Sequence, residues 1–182
     1  MAVVRCFGDG DELYAKYHDT EWGRPQRSER ALYEKICLEG LQSGLAWITI
    51  LRKREALREV FGGFDPERVA GMDISPLLQD ARLIRSRMKL QACVTNARAT
   101  LAMEGELPDL IWSYRDDQPP VSSWKDLPTL TPGSTALAKA LKARGFVFVG
   151  PTTVYALMEA CGVVNDHLAG CPVRNEVERA RA

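Results

Sequence analysis

The chain has 182 residues, 46% hydrophobic and 26% charged, which suits one folded domain, or two small lobes sharing a core, and excludes a wholly disordered chain. Twenty-four basic residues balance 24 acidic ones, so a protein that coats polyanions through bulk charge is excluded, while a local basic patch is not. The longest unbroken apolar run, from Val154 to Met158, is far short of the ~20 residues that span a bilayer.

In chain order, the N-terminus lacks an apolar leader core and turns acidic at Asp9, Asp11 and Glu12, so no signal peptide is expected and the reading is cytoplasmic. Ser28 is positioned to cap a helix reaching about Leu41. Gly44 breaks the chain, and a second helix is predicted over 46–60, closed by Gly62-Gly63. Asp65-Pro66 and Ser75-Pro76 each open a short helix, and a long one follows over 87–103. Pro119, Pro120, Pro128 and Pro132 mark residues 116–134 as loop. A helix is predicted over 134–144 with Gly145 as its C-cap, and a last one from Thr152 or Thr153 to Cys161. The strand-like run 146–149 is short enough to be a buried connector. The predicted fold is all-α: a single domain, 1–182, of two small helical lobes.

Five cysteines, odd in number and scattered, argue against a disulfide framework. Cys37, Cys93 and Cys161 sit in apolar helical patterns and are read as core. Each of the two histidines has a cysteine nearby: Cys6 twelve positions before His18, and Cys171 four after His167. Two Cys and two His make a closed, neutral tetrahedral set for a structural Zn²⁺. The alternative is a pair of core histidines beside unrelated thiols, and the first spacing matches no common zinc finger. If the set closes, it clamps the two chain ends together, where fraying is otherwise expected.

Tyr14, Tyr17 and Trp22 surround His18, and Trp47 opens the next helix but one. Glu39 falls close to Leu32 and Ile36 on the apolar side of its helix, where a carboxylate needs a donor. Lys35, one turn away, is one candidate, with Glu39 then at the edge of the face. The other reading is a pocket for a flat, amine-bearing, electron-poor ring, with aromatics on its faces and the carboxylate on its edge. Aromatics at such spacing also serve as plain core. From Ala81 to Met103 there is no acidic residue, but Arg82, Arg85, Arg87, Lys89 and Arg98 are present. They and Arg52-Lys53-Arg54 read either as a phosphate-gripping patch or as a solvated helix face.

Three stretches combine into something more specific: YHDTEWG at 17–23, ICLEGLQSGLAWITIL at 36–51, and GFVFVGPTT at 145–153 continuing to VNDHLAGC at 164–171. In this order the chain resembles the 3-methyladenine DNA glycosylase I family, from about Cys6 to Cys171. The resemblance implies the helix-hairpin-helix glycosylase fold, with a structural zinc on Cys6, His18, His167 and Cys171. It places the base pocket on Glu39, Tyr14, Tyr17, Trp22 and Trp47. It puts the DNA-gripping hairpin over 82–89, with Arg85, Arg87 and Lys89, and the loop Gln42-Ser43-Gly44-Leu45 beside the gap left by a flipped nucleotide. The implied partner is duplex DNA containing alkylated bases, and the product free 3-methyladenine. No lysine is placed for Schiff-base chemistry, so no lyase activity is expected, and with no sign of oligomerisation in the sequence the default is a monomer. Two departures stand out. Phe7-Gly8 replaces the family's tryptophan after the first cysteine, with the following segment one residue short. The hairpin turn is Arg82-Leu83-Ile84-Arg85, without the glycines of the general motif. Three other expectations are a non-catalytic zinc-stabilised damage-binding protein, a glycosylase for another alkylated purine, and a zinc-stabilised helical protein with no nucleic-acid role.

Overall fold

The structure, a computed structural model, describes residues 5–182; Met1, Ala2, Val3 and Val4, on which part of the leader reading rests, lie outside them. Among these residues are nine α-helices: α1 (Glu12–Thr20), α2 (Glu29–Gln42), α3 (Trp47–Val60), α4 (Pro66–Val69), α5 (Arg87–Ala102), α6 (Leu107–Trp112), α7 (Pro132–Ala143), α8 (Pro151–Ala160) and α9 (Arg174–Arg181). Two 3₁₀ turns, Pro76–Gln79 and Trp124–Asp126, complete the set, with no strand among the described residues. None of these helices is long and apolar enough to cross a membrane.

Local chemistry sets several helix starts. Ser28 caps α2 by accepting from the Ala31 amide at 3.3 Å, as its position predicts. Asp65 caps α4 ahead of Pro66. The helix expected from Ser134 begins earlier. Thr131 is its cap and Pro132 its first residue, while Ser134 closes the reciprocal capping box from the third position. At α8 neither Thr152 nor Thr153 is the cap; Gly150 precedes Pro151, which begins the helix. Ser75-Pro76 opens a 3₁₀ turn, not an α-helix.

The run 146–149 is the connector, not a strand. The Asn96 side-chain amide brackets Val147 like a neighbouring strand, donating to its carbonyl at 3.1 Å and accepting from its N–H at 2.8 Å. This connector explains Gly40, a residue that costs a helix interior ~1 kcal/mol against alanine. A Cβ there would lie 3.2 Å from the Phe148 Cβ.

Helix α2 is the axis of the molecule. One side, with Leu32 and Ile36, packs against α6 and α8, in a cluster with Ile111, Val154 and Met158 that α7 completes through Leu137 and Leu141. Another, with Tyr33, Cys37 and Leu41, packs against α3 and α5 through Ile50, Leu57, Leu90 and Val94. A helix covered on several sides is buried nearly all round, so Lys35 and Glu39 are buried with it. Cys37, Cys93 and Cys161 are buried in these clusters, as expected. A third cluster joins the chain ends, with Cys6, Tyr17, Trp22, Leu51, Cys171 and Val177. There Arg181, fully buried, donates to the carbonyls of Gly162, Val163 and Asp116 and pairs with Asp117 and Glu178.

Candidate functional site

A cavity of about 170 Å³ opens between α1, α2, α3 and α8. Its lining contains Glu39, Tyr14, Tyr17, Trp22 and Trp47, so the five residues proposed for a base pocket do meet. Tyr17 and Trp47 stand with ring centroids 5.5 Å apart, tilted by 42°. Phe7 fills the place next to Cys6. Its ring is 4.8 Å from Tyr14 and 5.0 Å, edge-on, from Trp22, and it lines the cavity too.

Glu39 is only 4% exposed. The donor considered for it is engaged elsewhere: the Lys35 ammonium donates to Glu21 at 2.7 Å, and Arg54 donates to the same Glu21 oxygen at 2.6 Å. Glu39 accepts no hydrogen bond from the described residues, and burial pushes it up to about 7, against a smaller downward pull from Lys35. Burial, with the Glu39 charge second, also raises the Tyr14 and Tyr17 hydroxyls. The result is a largely aromatic cage in which the Glu39 carboxyl lacks a protein donor. Such a cage suits a flat ring bearing N–H donors, best of all a cationic one.

Sequence reasoning missed four lining residues: Phe7, Trp124, Ala156 and Glu159. Burial and the neighbouring Asp166 push Glu159 well above the ordinary carboxyl range. It is the only charged residue in α8, a signal the sequence carried. Asp166 itself accepts from the Tyr155 hydroxyl at 2.6 Å. Trp124 carried no local sign, since it lies in the proline-rich loop.

The four Cys and His candidates also assemble. The donor atoms of Cys6, His18, His167 and Cys171 lie within 4.8 Å of one another, all buried. The His167–Cys171 pair sits on a looped segment, not on the helical turn that its spacing suggested. Both imidazoles are aimed by outer partners. His18 Nδ1 donates to Asp19 at 2.8 Å, and His167 Nε2 donates to the Trp22 carbonyl at 3.0 Å. This leaves His18 Nε2 and His167 Nδ1 facing the thiols. Asp19 is in turn held by Arg5. Gly23 has φ +79°, and a Cβ there would lie 3.0 Å from His167 Nε2, so both conformation and space require glycine.

On the rim, Ser43, Gly44 and Leu45 are exposed, and the Gln42 side chain donates to the Leu45 carbonyl at 2.7 Å. Arg85 and Arg87 are exposed. Lys89, in the first turn of α5, reaches the end of α2 and the following loop by donating to the carbonyls of Leu41 and Ser43 at 2.9 and 2.5 Å. Other cations are paired within the chain. Arg82 pairs with Asp80 and Glu59, Arg52 with Asp11, and Lys53 donates to the carbonyls of Ala81 and Arg82. The run 52–54 thus braces neighbouring elements.

The methyladenine glycosylase family model matches residues 7–175. The chain belongs to this family. It is 52% identical to the DNA-3-methyladenine glycosylase of Haemophilus influenzae, over 94% of this chain and 98% of that one. The fold is that of the family's solved structures. A crystal structure of 3-methyladenine DNA glycosylase I superposes with a TM-score of 0.89 at 51% identity, covering 93% of this chain and 98% of that one. A variant of 3-methyladenine DNA glycosylase I in complex with 3-methyladenine superposes at 0.88 with 37% identity, over 93% and 96% of the two chains.

Proposed function

We propose that the protein is a monofunctional DNA glycosylase that hydrolyses the N-glycosidic bond of 3-methyladenine in alkylated duplex DNA, leaving an abasic site. The observation that carries this reading is the buried Glu39 carboxylate without a protein donor, facing an aromatic cage in a chain of this family. The chain works as one domain, with a helical lobe on each side of α2 and the base pocket between them.

Alkylation at N3 gives the adenine ring a positive charge, so the base departs with the bonding electron pair and needs little acid catalysis. Water supplies the oxygen at C1′, and its surplus proton is released. The protein's part is to take the nucleotide out of the stack and hold the base. Tyr14, Tyr17, Trp22 and Trp47 hold the ring faces, and Glu39 accepts from the exocyclic amine. The cationic base lowers the cost of ionising Glu39, so the carboxylate is most effective for the damaged base and less so for neutral adenine. Arg85 and Arg87 meet the phosphates, while Gln42, Gly44 and Leu45, held by Lys89, sit at the gap in the duplex.

The donor set fits zinc. For bonds of ~2.3 Å to sulfur and ~2.0 Å to nitrogen, tetrahedral S and N ligands stand ~3.5 Å apart. Three of the four sulfur–nitrogen distances here are 3.4, 3.6 and 3.7 Å, and all four donor atoms lie within 4.8 Å of one another. Cys6, His18, His167 and Cys171 would hold one structural Zn²⁺ with no open position, tying residue 6 to residue 171. When bound, it supplies folding free energy and no chemistry.

The test is chromatography of free bases released from methylated duplex DNA by the purified protein. Release of 3-methyladenine supports the reading. Binding to damaged DNA with no base release, from a folded sample, would replace it with a non-catalytic binding protein.

A further inference from the structure

One wall of the cavity comes from outside the helices that form the rest. Trp124 opens the 3₁₀ turn Trp124–Asp126, capped by Ser123, in the loop between α6 and α7. It is 40% exposed, unusual for an indole that also packs on other aromatics. Its ring centroid lies 6.0 Å from Phe7 and 6.0 Å from Trp22, tilted by 43° and 41°. Its Nε1–H donates to the Cys6 carbonyl, 118 residues away. The loop is fixed just upstream, where the Ala169 amide donates to the Val121 carbonyl at 2.8 Å. The indole is therefore held from the segments that carry the Cys/His cluster, with its other edge free.

A second cavity, of about 270 Å³, lies against the first, lined by Leu127, Pro128, Thr129, Thr152 and Tyr155. Trp124, Ala156 and Glu159 face both. Ala156 is small and Glu159 is polar, so the indole is the one large apolar surface between the two spaces.

We propose that Trp124 is a specificity-determining residue of the base pocket: it stacks on the bound base and closes the passage to the neighbouring cavity, limiting the pocket to purines with a small alkyl group. The inference rests on the glycosylase reading above and adds a substrate limit to it. A base–aromatic stack is sequence-tolerant and depends on the ring face, which an exposed, edge-anchored indole supplies. Removing the indole would join the two cavities. Larger N-alkyl groups would then find room, while a methylated base would lose its stack.

The experiment compares base release from duplex DNA treated with a methylating agent and with a butylating agent. The proteins are the unaltered one, Trp124→Ala, Trp124→Leu and Trp124→Phe, each matched for circular dichroism and zinc content. Trp124→Ala and Trp124→Leu are expected to lower kcat/KM for 3-methyladenine by roughly 10–100-fold, the loss of one stack. The ratio of methylated to butylated base released should fall about 10-fold or more in Trp124→Ala. Trp124→Phe, which keeps a ring but not the bond to Cys6, should restore most of both. The leucine variant reads the stacking loss should the alanine variant fail to fold. An unaltered protein that releases no base overturns the glycosylase reading and this inference with it. An active unaltered protein whose folded variants keep both rate and ratio overturns the inference alone.

Discussion

Replacing Glu39 with glutamine should make the protein more stable at neutral and alkaline pH while disabling the site. Burial holds this carboxyl at about 7 against an ordinary 4.5. At ~1.4 kcal/mol per pH unit of separation, the ionised form carries a penalty of about 3 kcal/mol in the fold. The sign follows from proton uptake. Between the two values the folded protein keeps a proton that the unfolded chain releases, so stability is highest below the unfolded value and falls as pH rises through about 7. Glutamine keeps the shape and has no charge to bury. Glu39→Gln should therefore match the unaltered protein near pH 4.5 and exceed it by up to about 3 kcal/mol above about pH 8. Urea unfolding at stepped pH, with matched zinc content, measures the difference from the midpoints. In parallel, release of 3-methyladenine should drop by at least ~10-fold, because the amide offers no charge to a cationic base. A stability difference that stays flat from about pH 5 to 8 would refute the argument, since it would mean that Glu39 is solvated or has a partner in the fold.

The other predictions concern the ends of the chain and the DNA surface. Cys171→Ser should abolish stoichiometric zinc by atomic absorption and lower Tm; unchanged metal content would sink the assignment of the cluster. Arg85→Ala should weaken binding to abasic duplex DNA and flatten log K against log salt by about 0.9, the share of one phosphate contact; an unchanged slope would place the hairpin elsewhere. Arg181→Ala removes a fully buried cation that holds three carbonyls and two carboxylates. It should cost about 3 kcal/mol or more in urea unfolding without changing relative base preference; a cost below about 1 kcal/mol would show the C-terminal turn to be dispensable.

Much of the local structure could be read directly. Ser28 and Asp65 cap where their positions predict, and the long basic helix begins at Arg87 as expected. The helices that were not anticipated are α1, α6 and α9, and the reason differs for each. Helix α6 is six residues long, too short for a period. Helix α9 buries only Val177 and an arginine, so its inward face does not look apolar. Helix α1 turns Tyr17 and His18 inward, and these read as site residues before they read as a helix.

The sequence by itself determined the all-α class, the core cysteines, the residues of the Cys/His cluster and, through its three motifs, the family. Those features are carried by neighbours in the chain, by helical periodicity and by residue type. The tertiary structure alone decided which charges are left over. Lys35 lies one turn from Glu39 yet bonds Glu21 on another element, so the carboxylate faces the cavity without a protein donor. Arg52, Lys53 and Arg54 form a basic run on paper, and in the fold each bonds a group from another element. Phe7, Trp124 and Glu159 reach one pocket from parts of the chain far apart in sequence. Pairing and desolvation depend on which groups approach through space, and linear spacing carries no record of that approach.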